Sequence, residues 1–417
     1  MRYLPRLADA TLTANLAALG AVLIEGIRGC GKTETARQIA RSEVRLDVDE
    51  DAARLAELDP FLVLDGDTPR LIDEWQRATK VWDAVRRTVD DRRSRGQFIL
   101  TGSATPDDTV QRHSGAGRFA VMEMRTMTLA EKQATTPTVS FQALLTGQAV
   151  EPALCELNLT DYFHHIVVGG WPDIVGSTED TARRFLDGYL ATTIDRDLPR
   201  VSGRRRNPAL VRRFLHAYAQ QTAQPTMLTT IASHAGSAEE TKSAGPNRGT
   251  LATYREALER MRVIDDLPGW EPPARAVARF TTTPKRHLGD PALAANLLGL
   301  NSTGLRNDLA TAGLLFESLA VHDLRAYADA CGAWALHYRT QSGREEIDCI
   351  IETVTGDWTG FEVKLGTEAA INEAVRKLKH IEGSMRRPAK NLVVITASGI
   401  VESRNDVQIV PLGALDL

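Results

Sequence analysis

Three glycines and a lysine stand close together in the stretch GIRGCGKT, from Gly26 to Thr33. Glycine adopts backbone conformations that other residues resist, so such a loop can turn its N–H groups inward around an anion. The apolar run AVLIEG before the loop predicts a strand, and TETARQIA after it predicts a helix. A strand, this loop and a helix in succession form the P-loop pattern, which limits the N-terminal part to a fold that binds nucleotide phosphates.

Each position of the loop has an expected task. Backbone N–H groups of the loop and of the first helical turn would hold phosphate oxygens. Lys32 can bridge the β- and γ-phosphates of ATP, and the Thr33 hydroxyl can bind Mg²⁺. The residues expected to contact the nucleotide are Gly26, Ile27, Arg28, Gly29, Cys30, Gly31, Lys32, Thr33 and Glu34.

An acid pair, Asp73 and Glu74, ends a second apolar run about 40 residues further on, the separation expected for this architecture. We expect its strand to neighbour the strand before the loop. Asp73 would hold Mg²⁺ through water, and Glu74 would orient and polarise the attacking water. A third predicted strand, QFILTGSA, ends in small polar residues. Thr101 or Ser103 could therefore contact the γ-phosphate or the water from beside Asp73, unless they only cap the strand.

The sequence pattern changes twice along the 417 residues, which are too many for one core. Residues 1–145 alternate short apolar runs with amphipathic helical stretches, as in a parallel sheet covered by helices. Residues 151–300 are mainly helical, and two helices followed by a basic hairpin indicate a winged-helix unit. Residues 305–417 return to mixed strands and helices. The sequence therefore predicts an α/β protein of three domains with these boundaries.

Four motifs in this order, GIRGCGKT, LIDEWQ, FILTGSA and SGAGRF, resemble a family of prokaryotic AAA-type ATPases that carry a C-terminal domain of unknown function. The later stretches YLATTIDRDLP, LGDPALAANLLG and EIDCIIE with FEVKLG also fit, so the resemblance covers nearly the whole chain. It implies nucleotide binding at Gly26 to Thr33, a Walker B acid pair at Asp73 and Glu74, and a sensor at Ser103.

The same resemblance implies a role for one arginine and a possible oligomeric state. Arg118, in GAGRF, matches a family position where an arginine could stabilise γ-phosphate charge in cis or from a neighbouring subunit. The alternative role for Arg118 is a structural salt bridge. AAA-type proteins often form rings, so a homo-oligomer is implied, although the chain could equally be a monomer.

Charged residues of the C-terminal part follow the layout of a restriction-endonuclease-like fold. Glu317 lies on a predicted helix, Asp348 on a strand segment, and Glu362 and Lys364 alternate on the next strand. Residues two apart on a strand share a face. Asp348 and Glu362 could therefore bind Mg²⁺ while Lys364 polarises an attacking water. The alternatives are an exposed charged strand, or a nuclease-like fold without activity.

Composition limits the classes of partner that the protein can bind and indicates its location in the cell. No apolar run is long enough to span a bilayer, and the first residues do not form a signal peptide, so we expect a cytoplasmic protein without a membrane partner. The net charge of −4 argues against a uniformly basic nucleic-acid binder. A local basic face remains open at Arg204–Arg206 and at Lys285–His287, where DNA contact and a solvated surface are alternatives. Trp171 is expected to pack in the core or at an interface.

Three functions are compatible with these patterns. The first is an ATP- and Mg²⁺-dependent hydrolase whose turnover rearranges the helical and C-terminal parts. The second is a nucleotide-gated module that binds DNA or a partner protein and hydrolyses little ATP. The third is a metal-dependent nuclease in the C-terminal part that ATP regulates.

Overall fold

The computed structural model describes residues 3–102, 115–202, 207–236, 248–271 and 283–417. Its helices are α1 (Leu7–Ala18), α2 (Lys32–Arg37), α3 (Glu50–Leu58), α4 (Lys80–Arg92), α5 (Phe141–Leu145), α6 (Leu159–Val168), α7 (Glu179–Thr192), α8 (Leu198–Ser202), α9 (Pro208–Ala219), α10 (Leu228–Ala235), α11 (Arg248–Arg260), α12 (Pro291–Leu297), α13 (Ser302–Asn307), α14 (Leu309–Ala330) and α15 (Glu368–Ser384), with a π-helical turn at Thr193–Asp197 between α7 and α8. Its strands are β1 (Ala21–Gly26), β2 (Ser42–Arg45), β3 (Arg70–Asp73), β4 (Phe98–Thr101), β5 (Phe119–Met124), β6 (Val139–Ser140), β7 (Ala153–Leu154), β8 (Trp334–Arg339), β9 (Glu346–Glu352), β10 (Trp358–Lys364), β11 (Asn391–Thr396), β12 (Ile400–Arg404), β13 (Val407–Pro411) and β14 (Leu415–Asp416).

The N-terminal part is built on a five-stranded parallel sheet in the order β2-β3-β4-β1-β5. All four residues of β4 are buried, as the near-continuous apolar strands of a parallel sheet require. The sequence analysis expected β3 beside β1, and this was wrong, because β4 pairs with both and separates them. Parallel strands end at the same edge of a sheet, so the loop after β1, the end of β3 and the end of β4 meet there.

The middle part is helical, as expected. The helix α6 packs against α7, α12 and α14, and α9 packs against α10 and α12. The short segments 264–267 and 285–288 run antiparallel, with bridges between Ile264 and Leu288 and between Leu267 and Lys285. The predicted wing falls largely on residues 272–282, outside the described ranges, so the winged-helix unit stays a prediction.

The C-terminal part is a seven-stranded mixed sheet in the order β7-β12-β13-β11-β10-β9-β8. β10, β11 and β13 are mutually parallel, whereas β8, β9 and β12 run antiparallel to their neighbours. α14 packs against β8, β9 and β10, and α15 packs against β10 and β11. Two short strands of the segment 139–154 pair with strands of the C-terminal part: β7 adds to the edge of this sheet beside β12, and β6 pairs with β14.

One hydrophobic core joins the three parts. It contains fully buried residues from β1, the middle helices, α14 and β10, represented by Ile24, Phe214, Leu315 and Phe361. Each sheet packs a second core on its other face. The mixed α/β fold with a parallel N-terminal sheet is therefore confirmed. Within the described ranges, no helix combines the length and the apolar character needed to cross a bilayer.

Candidate active site

The glycine loop connects β1 to α2, and its glycines are there for two reasons. Gly29 and Gly31 have φ angles of +76° and +106°, in the left-handed region that favours glycine. At Gly26 the reason is space, because a Cβ atom would lie 2.1 Å from the backbone oxygen of Met124 on β5. The backbone therefore curves as an anion-binding loop requires, with strand β5 close behind it.

Lys32 bends back over this loop. Its Nζ donates hydrogen bonds to the backbone oxygens of Gly26, at 2.8 Å, and Ile27, at 2.9 Å. The lysine is 7% exposed. Its ammonium group therefore lies inside the curve of the loop, with two neutral carbonyl groups as its oxygen acceptors.

Asp73 is the last residue of β3, and its carboxylate accepts hydrogen bonds from two hydroxyl groups. Its Oδ1 accepts hydrogen bonds from Thr33 Oγ1 of α2, at 2.9 Å, and from Thr101 Oγ1 of β4, at 2.6 Å. Asp73 is 5% exposed and Thr101 is 1% exposed. Of the two polar candidates at the end of β4, Thr101 thus contacts the acid, whereas Ser103 lies outside the described residues.

Glu74 follows Asp73 in an uncommon backbone conformation. Its φ of 55° and ψ of 42° are left-handed, which side-chain-bearing residues avoid, and such outliers cluster at functional sites. Burial raises the pKa of its carboxyl group, the charge of Lys32 opposes the shift and the charge of Asp73 adds to it. The carboxylate also accepts a hydrogen bond from Gln76 Nε2. Glu74 is therefore a half-buried carboxylate with an elevated proton affinity beside the glycine loop.

Side chains from beyond the sheet hold the outer part of the loop. The indole N–H of Trp171 donates to the backbone oxygen of Arg28 at 3.0 Å, and Arg28 Nη1 donates to Asp197 Oδ2 at 2.6 Å. From the N-terminal segment, Arg6 Nη1 donates to the backbone oxygen of Cys30 at 2.6 Å. The middle part and the N-terminal segment thus contact the loop backbone directly.

Sequence reasoning did not assign Arg6, Trp171 or Asp197 to the site, although it expected Trp171 to be packed, and this residue is 0% exposed. These residues belong to elements far from the loop in sequence. The pair of glycines before Trp171 is the one available signal. A Cβ at Gly170 would lie 2.4 Å from the backbone oxygen of Met127, so the GGW stretch marks a close approach of two backbones.

Arg118 lies at the opposite edge of the N-terminal sheet. Its backbone oxygen accepts from Ala21 N at 3.0 Å, at the start of β1, whereas the glycine loop follows the end of that strand. At about 3.3 Å per residue, the strand keeps the two positions roughly 16 Å apart. Arg118 instead pairs with Asp90 at 2.8 Å. The prediction that Arg118 contacts the γ-phosphate of its own chain's nucleotide is therefore wrong. A contact of Arg118 with the nucleotide of a neighbouring subunit stays a prediction.

Two carboxylates predicted in the C-terminal part, Glu317 and Asp348, converge with Glu346 around a lysine. Lys285 Nζ donates hydrogen bonds to Glu317 Oε1 at 2.6 Å and Asp348 Oδ1 at 2.8 Å, and it forms an ion pair with Glu346 Oε1 at 2.8 Å. Burial disfavours its charge, but the carboxylates of Asp348, Glu317 and Glu346 raise the pKa of Lys285 well above its usual range. A lysine from the middle part thus supplies the cation of this cluster.

Glu362 lies in the same region and is also paired. Its Oε1 accepts hydrogen bonds from Lys364 Nζ, at 2.7 Å, and Lys377 Nζ, at 2.6 Å. Asp348 Oδ2 accepts from Val363 N at 2.8 Å. Among the residues the structure describes, no group of three or more His, Cys, Asp or Glu is arranged to hold a metal ion. Metal binding by Asp348 and Glu362 therefore stays a prediction.

The basic stretch Lys285–His287 is not on the surface. Lys285, Arg286 and His287 are 0%, 3% and 3% exposed. Arg286 pairs with Asp266, and His287 Nδ1 lies 3.0 Å from Ser318 Oγ. Neither alternative for this stretch is therefore correct: the side chains are not a solvated surface, and they cannot reach a DNA phosphate. The other predicted basic patch, Arg204–Arg206, lies outside the described residues.

Three family models match consecutive parts of the chain. Residues 19–132 match an AAA domain, residues 159–304 a domain of unknown function, DUF8612, and residues 312–415 a domain of unknown function, DUF4143. The first match contains the glycine loop, Asp73 and Glu74, and the last contains the carboxylates of the C-terminal sheet.

Similar proteins cover most of the chain. Uncharacterized proteins of Mycobacterium bovis and Mycobacterium tuberculosis are each 28% identical over 363 residues, which is 85% of this chain and 72% of theirs. Among solved structures, the Walker-type ATPase of Pyrococcus abyssi aligns with a TM-score of 0.43 and 12% identity, over 71% of this chain and 96% of that one.

Proposed function

We propose that the chain is a prokaryotic AAA-type P-loop ATPase with a C-terminal domain of unknown function, because its residues 19–132 match an AAA domain and its residues 312–415 match DUF4143. In this proposal it hydrolyses ATP with Mg²⁺ and transmits its nucleotide state to the middle and C-terminal parts. One observation carries the hydrolysis. Asp73, beside Glu74 and behind the glycine loop, accepts hydrogen bonds from the hydroxyls of Thr33 and Thr101. Two hydroxyl groups and a carboxylate from three elements thus meet where the terminal phosphates of a nucleotide would lie.

The loop residues fit a polyphosphate. The positive φ angles of Gly29 and Gly31 let successive N–H groups face one concave side, where anions bind. Lys32 currently donates to two neutral carbonyl oxygens, and a phosphate oxygen is a stronger acceptor because its hydrogen bond is charge-assisted. We expect Lys32 to exchange these carbonyls for phosphate oxygens when ATP binds.

Thr33 and Asp73 fit a hard cation, since hydroxyl and carboxylate oxygens are ligands that Mg²⁺ accepts, directly or through water. Bound Mg²⁺ would neutralise charge on the β- and γ-phosphates. Thr101 has a supporting role in this proposal, because its hydroxyl fixes the orientation of the Asp73 carboxylate. The hydroxyl of Thr33 would then be free to turn from Asp73 towards a ligand.

Glu74 is the proposed general base. Burial raises the pKa of its carboxyl group, which brings its proton affinity closer to that of a useful base at neutral pH. Its hydrogen bond from Gln76 and its constrained backbone restrict the directions in which the carboxylate can point. It would accept a proton from the water that attacks the γ-phosphate.

Contacts between the loop and the middle part support the transmission of nucleotide state. Trp171 binds the backbone oxygen of Arg28, and Arg28 pairs with Asp197 at the end of the π-helical turn. Any shift of the loop on nucleotide binding must therefore be accommodated by two middle-part residues. We expect amide hydrogen exchange in Thr193–Asp197 to change when ATP is added, and the change to shrink in Asp197→Asn.

The test of hydrolysis compares wild type with Glu74→Gln in the full chain. Calorimetry with ATP and Mg²⁺ should give similar affinities for both, while phosphate release by the variant should fall at least about 100-fold, the usual contribution of a general base. Glu57→Gln changes an exposed acid on α3 and should leave both measurements unchanged. Wild-type turnover in Glu74→Gln would remove Glu74 from the mechanism. Absence of ATP binding by the wild type would remove the proposed function.

A further inference from the structure

The cation in the C-terminal carboxylate cluster comes from outside the C-terminal part. Lys285 lies on the segment 283–288, and its backbone N–H and carbonyl oxygen both bond to Leu267, each at 3.0 Å. Arg286 N donates to the backbone oxygen of Gln224, also at 3.0 Å. The segment is thus anchored to the middle part, and from there Lys285 extends to Glu317 on α14 and to Asp348 on β9.

The ammonium group of Lys285 is surrounded by carboxylate oxygens. It donates hydrogen bonds to Glu317 and Asp348 and forms an ion pair with Glu346, with three contacts of 2.6 to 2.8 Å. The residue is 0% exposed, so water does not share these contacts. Carboxylate oxygens are also the ligands that hard divalent ions bind, at shorter distances.

One buried carboxylate oxygen beside the cluster has no hydrogen-bond partner among the described residues. Phe361 pairs with Cys349 in the antiparallel register of β9 and β10, so Glu362 continues opposite Asp348 on the same face. Glu362 is 1% exposed, and its Oε2 is a buried atom without a hydrogen-bond partner among the described residues. A buried carboxylate oxygen of this kind is costly unless a cation or donor satisfies it.

The carboxylates of the cluster are held close together. Glu317, Glu346 and Asp348 all lie within 2.8 Å of one ammonium group. Removal of the lysine would leave these buried carboxylates without the cation that they share, and a divalent ion would replace it.

We propose that Lys285 is a tethered counter-ion that fills the carboxylate cluster of the C-terminal part and keeps Mg²⁺ and Mn²⁺ out of it. Lys285 and a divalent ion compete for the same oxygens of Glu317 and Asp348, so only one of them binds at a time. Metal-dependent chemistry at Asp348 and Glu362 is therefore blocked in this conformation. It requires displacement of the segment 283–288, which the middle part holds.

The test measures Mn²⁺ binding to the full chain by electron paramagnetic resonance, without nucleotide, so that it is independent of the proposed ATPase. Wild type should bind no Mn²⁺ at the cluster. Lys285→Met should gain one Mn²⁺ site, with an affinity on the order of 100-fold or more above that of the wild type. The reason is that loss of the lysine leaves buried carboxylates unpaired, and Mn²⁺ binding removes this cost. Adding Asp348→Asn to this variant should abolish the gained site. Lys377→Met, which removes a half-buried lysine from Glu362 but leaves Lys285, should behave as wild type.

Two results would overturn the proposal. One is Mn²⁺ binding by the wild type that Asp348→Asn removes, and the other is the absence of binding in both wild type and a folded Lys285→Met. Should Lys285→Met not fold, lysine methylation of the wild type with mass spectrometry replaces it. At every Mn²⁺ concentration, Lys285 should stay unmethylated, and the resonance signal should show that all the added Mn²⁺ remains free. Mn²⁺ uptake that depends on Asp348 with Lys285 still protected would show that both cations fit, which contradicts competition.

Discussion

The substitution Thr101→Val tests how the active-site carboxylate is held. Thr101 is 1% exposed on β4, and its hydroxyl lies 2.6 Å from Asp73 Oδ1. Valine has the same shape and the same preference for strands, so the change removes one hydrogen bond and little packing. The Asp73 carboxylate would keep Thr33 as its hydroxyl donor, and Thr33 is the group that Mg²⁺ should recruit.

The magnitude follows from the charge of the acceptor. A hydrogen bond to a charged group contributes about 1.5–3 kcal/mol, which corresponds to roughly 10- to 100-fold in an equilibrium constant. Loss of a residue that orients a metal ligand has an effect of about the same size. We therefore expect the Mg²⁺ concentration for half-maximal ATPase activity to rise about 10- to 100-fold in Thr101→Val.

The assay is phosphate release at a fixed ATP concentration across a Mg²⁺ titration. Thr101→Ser retains the hydroxyl and should restore the Mg²⁺ dependence most of the way to wild type. Thr396→Val is the matched control, because Thr396 is also a 1% exposed strand threonine with a hydrogen bond, to the backbone oxygen of Ser398 in the C-terminal part. It should leave the Mg²⁺ dependence unchanged. A wild-type Mg²⁺ curve for Thr101→Val would refute the idea that this hydroxyl positions Asp73.

Three further substitutions have defined outcomes. His337 is 0% exposed, and burial lowers its pKa to about 4. Because the folded state resists protonation of this ring, the stability is complete above pH 6.5 and falls by about 3 kcal/mol as the pH drops through 4. His337→Gln should therefore lose stability less steeply in acid, whereas the exposed control His380→Gln should not differ from wild type. Arg125 has a 6% exposed side chain paired with Glu123, Asp265 and Asp329, and Arg125→Met should lower the free energy of unfolding by about 3 kcal/mol in urea titrations. An unchanged midpoint would show that Arg262, which also pairs with Glu123, and Arg325, which also pairs with Asp265, compensate. Arg118→Ala should leave the ATPase rate of dilute protein unchanged, since its side chain is at the far edge of the sheet, and a loss of rate that grows with protein concentration would instead support a role in a neighbouring subunit.

The local chemistry of the N-terminal site could be predicted from the sequence because its signals are local. Gly29, Gly31, Lys32 and Thr33 act within one turn of chain, and the spacing of residues in such a loop is fixed by the phosphate that it encloses. Asp73 could be found because a parallel strand delivers its last residue to the same edge of the sheet. The order of the strands could not be found in this way, since alternation of strands and helices does not state which strands are neighbours.

The contacts that tie the site to the rest of the chain had no such signal. Arg6 and Asp197 bind the loop through a backbone oxygen and an arginine side chain, and any polar residue brought there by the fold could do so. The buried position of Lys285–His287 could not be predicted for a related reason. A basic stretch is usually solvated or binds an anion, but here the compensating carboxylates Glu317, Glu346 and Asp348 come from sequence positions 32 to 63 residues away.

The two lysines Lys32 and Lys285 explain why one site is open to ligands and the other is not. Both are almost fully buried, and both donate to oxygen atoms of their own chain. Lys32 donates to two neutral carbonyls, whose hydrogen bonds have net contributions of about 1 kcal/mol each, so an incoming phosphate offers it a stronger acceptor. Lys285 interacts with three carboxylates through two hydrogen bonds and one ion pair, and its departure would leave buried negative charges unpaired, at a cost of about 3–5 kcal/mol. The same side chain therefore serves as an exchangeable contact in the P-loop and as a fixed counter-ion in the C-terminal cluster, and only movement of the segment that carries Lys285 would change the second role into the first.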